Sequence, residues 1–299
     1  GPNFYSAEAL WEASLRQELG ANNAYPLERI LHAHEVFTWI LAQKEHQKQR
    51  QQLQQRRRVL IVGGGVTSAQ LTILAAESPW CKGVTLIQRS KSIPRQFDLE
   101  NEWMGPGRGK LLDNFWSMDV QCRFSELKGA RGGGSIPPEL LQELERREGQ
   151  NNKRLQVKEE VQISEVHWSE DRLHVTLDDG SDEEEYDMIW LATGSQNDIR
   201  RYPPLASLCE TLPVQLVNGL PVLGRDLSWS RPPSDIERDD GEDGNEPKWK
   251  QIARQRFWCM GVLAGLELGP DALNLVGARH GAVRVAEAIR QGVLANSIS

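Results

Sequence analysis

Gly63-Gly64-Gly65-Val66-Thr67-Ser68 is the stretch whose residue types and spacing suit a phosphorylated ligand. Gly63 permits a tight turn after a strand. Gly65 lets the backbone approach a pyrophosphate, which then rests on the positive end of a helix starting near Thr67. Ser68 stands where G-x-G-x-x-G has its third glycine and is small enough for close helix–strand packing. Context gives the motif its meaning. Val59 to Val62 precede it as a short strand apolar on both faces, and Ala69, Thr72, Ile73 and Ala76 follow at helical spacing. The reading is a dinucleotide site; a bare structural turn is the alternative.

A second strand, Gly83-Val84-Thr85-Leu86-Ile87, ends in Gln88-Arg89-Ser90-Lys91. An NAD-type site places Asp or Glu about 20 residues beyond the turn to hold the ribose hydroxyls. Arg89, Ser90 and Lys91 are instead groups that hold a 2′-phosphate, which favours NADPH over NADH. A solvated strand end is the competing reading.

The elements that must position these groups lie in a chain of 299 residues, enough for two modest domains. Hydrophobic content of 39% with 10 Trp supports a real core, and a net charge of −7 argues against nucleic acid as the main partner. No apolar run reaches the ~18 residues of a membrane span. Cys81, Cys122, Cys209 and Cys259 are scattered without a C-x-x-C pair, which removes a zinc site and a redox dithiol and fits a reducing, cytoplasmic compartment. His32 and His34 lie two apart and read as packing or surface residues, so no metal is expected. The opening Gly1-Pro2 reads as a protease-cleavage scar, with the natural start expected upstream.

Residues 1–58 read as a helical amino-terminal segment and linker: apolar positions Leu10, Trp11, Leu15 and Leu19 mark one helix, 27–42 suits a helix or a strand and helix, and 44–58 a solvated helix. Residues 59–200 alternate strand and helix, as an α/β, Rossmann-like domain with a parallel sheet. Within it Val120 to Phe124 is a candidate strand, and the Gly129–Ser135 loop carries Arg131, placed to reach a phosphate unless the loop is merely mobile. A helix over 139–147 follows. Alternation over 157–177, with a turn at Asp179-Gly180, reads as an inserted antiparallel meander. The strand Tyr186 to Leu191 ends in the small-residue turn Ala192-Thr193-Gly194. Residues 201–299 form a Pro-rich carboxyl segment with an acidic, mobile loop at 232–247 and a closing helix.

Four segments in this order resemble the flavin-dependent monooxygenases of the lysine/ornithine N-hydroxylase type, and related FAD/NAD(P)-binding proteins. They are Gly63 to Ser68; Phe97 to Pro106, similar to the family's D-x-x-x-x-N-E block; Trp190 to Gly194; and Leu268-Gly269-Pro270-Asp271-Ala272-Leu273-Asn274-Leu275. The resemblance implies a flavoprotein with two dinucleotide-binding domains, FAD and NADP(H) as cofactors, and hydride passed from NADPH to flavin before oxygen insertion into a small molecule. It places Asn101 and Glu102 nearest the chemistry, with Asp98 and Arg108 as weaker candidates. Ala192, Thr193 and Gly194 fall at the domain junction, and Pro270, Asp271 and Leu273 against the FAD. The family's amino-terminal FAD-binding βαβ unit is not found before Val59, so residues 201–299 would lack their partner strands and the chain is expected to be catalytically incomplete. A flavin reductase or oxidase without oxygenation, and a nucleotide-sensing or partner-binding module, remain the alternatives. Oligomer formation is left open.

Overall fold

The computed structural model describes residues 28–49, 56–130, 134–150, 154–194, 197–229 and 256–298. The amino-terminal helix at Leu10–Leu19, Arg131 and the 232–247 loop lie outside the described residues. In chain order the elements are β1 (Ile30–His32), α1 (Ala33–Gln49), β2 (Arg57–Val62), α2 (Val66–Glu77), β3 (Cys81–Gln88), α3 (Arg108–Ser117), α4 (Val120–Gly129) and α5 (Pro138–Gln150). They continue as β4 (Leu155–Glu159), β5 (Ile163–Ser169), β6 (Arg172–Leu177), β7 (Glu184–Tyr186), β8 (Met188–Leu191), α6 (Pro203–Thr211), β9 (Leu216–Val217), β10 (Leu220–Pro221), α7 (Gly265–Leu268) and α8 (Leu275–Ile298).

The described chain divides into two units: residues up to 98 with 134–194, and residues 99–130 with 197 onward. The first is built on a parallel sheet ordered β1-β8-β2-β3-β4. Strand β2 is central because its apolar run can be covered on both faces. Val59 and Ile61 join the core under the helices, with Val36, Ile40, Leu71, Ala75 and Leu144. Leu60 joins the opposite core, with Val166, Leu173, Val175 and Tyr186 from the antiparallel sheet β5-β6-β7. The period of two along a strand thus assigns alternate residues to two cores. Tyr186 belongs to β7 and Val157 to β4, so the meander begins at Ile163, later than expected. Of the two readings of residues 27–42, a strand followed by a helix is the one present, and β1 pairs with β8.

Val120 to Phe124 is helical, against the expectation of a strand. Asp119 caps α4 by accepting from the backbone N–H groups of Gln121 and Cys122 at 2.9 and 3.0 Å. Val120, Phe124 and Leu127 then recur on one face against Leu220 and Leu266. A five-residue apolar-rich run does not distinguish strand from helix; the cap and the buried face do.

Residues 99–130 group with the carboxyl segment rather than with 59–98. Two buried ion pairs bind them there, Arg108–Asp271 and Arg123–Glu267, both at 2.7 Å. The same unit contains the hairpin β9–β10, turned by Asn218 and Gly219, both at positive φ. Among the described residues no helix is long and apolar enough to cross a membrane.

Candidate functional site

Sheet register brings the first group of site residues together. Val62 pairs with Ile87 on one side and Leu191 on the other, so Gly63, Gln88 and Ala192 emerge level at the carboxyl edge of β3-β2-β8. The chain runs from β2 to β3 on one side and returns through β8 on the other. That reversal makes the crevice in which open α/β sheets bind ligands.

Gly63 has φ +153, and a Cβ on it would come within 2.4 Å of the Ala192 carbonyl oxygen. The turn therefore needs glycine here for both conformation and space. Gly65 is the N-cap of α2 and no side chain caps the helix. Ser68 is fully buried and donates its hydroxyl back to the Gly65 carbonyl at 2.7 Å, tying the turn to the helix. Thr72 donates likewise to the Ser68 carbonyl at 2.8 Å. Val66 is half-buried and Thr67 exposed at the helix start. Ala192 donates its N–H to Val62, and Thr193 and Gly194, the latter with φ +87, continue along the crevice rim.

Gln88 occupies the position where an acidic residue would grip a ribose, and it is only 1% exposed. Its Oε1 accepts from the Ser92 hydroxyl at 3.1 Å and lies 3.6 Å from where a Cβ on Gly64 would sit. Its Nε2 is buried with no hydrogen-bond acceptor among the described residues. Arg89, Ser90 and Lys91 follow it into solvent, Lys91 3.9 Å from Glu160. On the other side Gly134 backs onto the turn, its own missing Cβ falling 2.7 Å from the Gly64 carbonyl oxygen. Asp98 accepts from the Ser135 hydroxyl next door. Gln88 and Gly134 are the residues the motif reading missed. Gln88 has a sequence signal, since it is the strand-end residue; Gly134 has none.

The second group of site residues lies in the other unit. Asn101 and Glu102 are exposed on a 3-10 turn, Asn101–Met104. Trp103 in that turn is buried under Gly269, where φ is +90 and a Cβ would meet the Trp103 ring at 2.8 Å. The Pro270–Leu273 turn follows directly. Pro270 and Asp271 are buried and Leu273 is exposed. Both Asp271 oxygens accept from Arg108, so this carboxylate fixes the turn internally. Asn274 caps α8 by accepting from Val276 and Gly277 at 3.0 Å each. Beneath, Glu267 meets Arg123 at 2.7 Å and Arg225 at 3.4 Å; burial still pushes its carboxyl above the ordinary range.

The family model for L-lysine 6-monooxygenase/L-ornithine 5-monooxygenase matches residues 25–197. No curated protein matches the chain. Among solved structures, an ornithine N-hydroxylase of Kutzneria sp. 744 superposes with TM-score 0.62 at 18% identity, covering 88% of this chain and 59% of that one. A cadaverine monooxygenase of Erwinia amylovora gives 0.62 at 14%, covering 97% and 59%. L-lysine 6-monooxygenase from Pseudomonas syringae gives 0.50 at 22%, covering 72% and 50%. The chain thus spans less than two thirds of their length, and at these identities the likeness is one of fold.

Proposed function

The chain belongs to the L-lysine 6-monooxygenase/L-ornithine 5-monooxygenase family, and from that premise we propose that it forms the NADP(H)-binding part and carboxyl end of an FAD- and NADPH-dependent monooxygenase acting on a small molecule. The carrying observation is the crevice at Gly63, Gln88 and Ala192. A glycine turn without side chains, a helix start that no side chain caps, and a buried amide lacking an acceptor among the described residues together suit a dinucleotide. The Kutzneria structure is described with reduced FAD, NADP+ and L-ornithine, which supports the cofactor pair and a substrate of the amino-acid or diamine class.

When bound, this pair supplies reducing equivalents and activates oxygen for insertion into the substrate. The protein's part is to bind and orient. Backbone N–H groups of Gly64 to Ser68 would receive the pyrophosphate, and Arg89, Ser90 and Lys91 would take the 2′-phosphate side. Gln88 would donate its buried amide N–H to the ribose, and Ala192 to Gly194 would line the opposite wall. Pro270, Asp271 and Leu273 hold the turn that an FAD would rest on, with Arg108 and Trp103 bracing it. Asn101 and Glu102 offer an exposed amide and carboxylate for substrate.

An absorbance spectrum of the purified chain, before and after incubation with FAD and removal of unbound flavin, tests the flavin part; titration with NADPH tests the nucleotide part. Retained flavin that bleaches with NADPH supports the whole reading. A colourless chain that binds NADPH confines it to the nicotinamide half, and a chain that binds neither overturns it.

A further inference from the structure

The antiparallel sheet carries a side-chain cluster that the nucleotide crevice does not use. His167 on β5 and His174 on β6 are cross-strand partners in the register. They share the outward face, since Val166, Leu173 and Val175 beside them turn into the core. Their imidazoles stack 4.9 Å apart with an interplanar angle of 11°. Glu183, just ahead of β7, reaches both rings. One oxygen is 2.9 Å from His174 Nδ1 and the other 3.5 Å from His167 Nε2.

His174 has a second fixed contact, Nε2 at 3.2 Å from the Ser169 carbonyl oxygen. A carbonyl only accepts, so that contact holds the ring proton on Nε2 and leaves the Nδ1 lone pair facing a carboxylate oxygen. With the proton on Nε2, a metal ion between Nδ1 and the carboxylate oxygen relieves the repulsion of two electron-rich atoms 2.9 Å apart. A metal-binding histidine characteristically donates its other N–H to such a carbonyl, as His174 does here.

We propose that His167, His174 and Glu183 form a site for one divalent transition-metal ion, with Zn2+ the best-suited ion. Two imidazoles and one carboxylate are borderline ligands that favour Zn2+ over Ca2+ or Mg2+, which take oxygen sets. Ligand bonds of about 2.0–2.2 Å in tetrahedral geometry need ligand atoms roughly 3.3 Å apart. Glu183 presents a different oxygen to each ring, at 2.9 Å from His174 Nδ1 and 3.5 Å from His167 Nε2, each close to that spacing. All three candidate ligand atoms lie within 4.8 Å of one another, so a modest splay of the stacked rings completes the set. His167 and Glu183 are partly exposed, which gives the ion an entry path and leaves a fourth position for water. Nearby cations are occupied with other acids: Arg172 with Glu185 and Asp187, Lys158 with Asp179 and Glu184. The ion clips β5, β6 and the approach to β7 into one body, on the sheet that covers Leu60 of the central strand.

The test uses the full chain without an affinity tag. Calorimetric titration with ZnCl2 is expected to show one ion per chain, with a rise in Tm on saturation. His167→Gln and Glu183→Gln, both on an exposed face, each weaken binding by about 10–100-fold or more. A His32→Gln/His34→Gln control leaves it unchanged. With stoichiometric Cu2+, electron paramagnetic resonance reports two imidazole nitrogens in the parent and one in His167→Gln. Failure of Zn2+ to bind, or binding and Cu2+ spectra that ignore the His167 and Glu183 substitutions, overturns the site and leaves a histidine–carboxylate hydrogen bond.

Discussion

Arg108 holds Asp271 by two nitrogens, Nε at 2.7 Å and an Nη at 3.2 Å, with the aspartate entirely out of solvent. The same guanidinium donates to the Leu268 carbonyl at 2.9 Å, so one side chain fixes both ends of the Gly269–Asp271 bend. Arg108→Ala removes the partner of a buried charge and is expected to cost about 3–5 kcal/mol. Urea unfolding at neutral pH checks this. An Arg108→Met/Asp271→Leu double variant, which buries no charge, should lose clearly less than Arg108→Ala alone. Equal losses would show that the pair's electrostatics are not what the bend depends on.

The glycine turn predicts an asymmetry between neighbours. Gly63→Ala forces a Cβ to within 2.4 Å of the Ala192 carbonyl oxygen at a φ that side chains rarely adopt. The conformation alone costs about 1–3 kcal/mol, and the clash adds to it. Gly64→Ala meets only the Gln88 Oε1 at 3.6 Å, an ordinary contact, and should fold with near-normal stability. Thermal unfolding of the two variants side by side decides it; similar Tm values would contradict the geometry.

Arg89→Ala tests the cofactor preference. Arg89 follows the buried Gln88 at the end of β3, where a 2′-phosphate would approach. Loss of a charge-assisted hydrogen bond is worth about 1.5–3 kcal/mol, so NADPH binding should weaken roughly 10–100-fold while NADH binding changes little. Equal weakening of both, read by fluorescence titration, would remove Arg89 from the phosphate. Gln88→Leu should instead weaken both cofactors alike, because the ribose face is common to them.

Alkaline pH should destabilise the first unit. Burial pushes the Tyr186 hydroxyl from 10.0 up to about 12 and the Cys81 thiol from 9.0 up to about 11. Each group holds its proton more tightly folded than unfolded. Its stabilising contribution is therefore full below the unfolded value and is lost as pH rises through the folded one. Two pH units correspond to about 3 kcal/mol per group. Urea midpoints should fall from pH 9 upward, and at least one of the four tyrosines should ionise late in a 295 nm titration. Simultaneous ionisation of all four near pH 10 would contradict the burial of Tyr186.

The sequence by itself determined the local elements whose cause is local. Val59 to Val62 must be a two-face-buried strand, three glycines must turn, and the small residues after them must form a helix that packs on the sheet. The α/β class, the meander and the order of the four family segments were legible for the same reason: period, turn chemistry and spacing lie along the chain. Val120 to Phe124 was misread because a short apolar-rich run carries no period of its own, and the Asp119 cap decides for helix. Only tertiary structure could decide which distant residues share a wall. Residues 99–130 join the carboxyl segment through Arg108–Asp271 and Arg123–Glu267, pairs more than 140 residues apart in sequence. Gln88 becomes a buried amide because β3 has β2 on one side and β4 on the other. His167 and His174 face each other because strand register, which follows from cross-strand packing, sets them opposite. Such pairings depend on how strands and helices bury one another, and burial is a property of the folded chain.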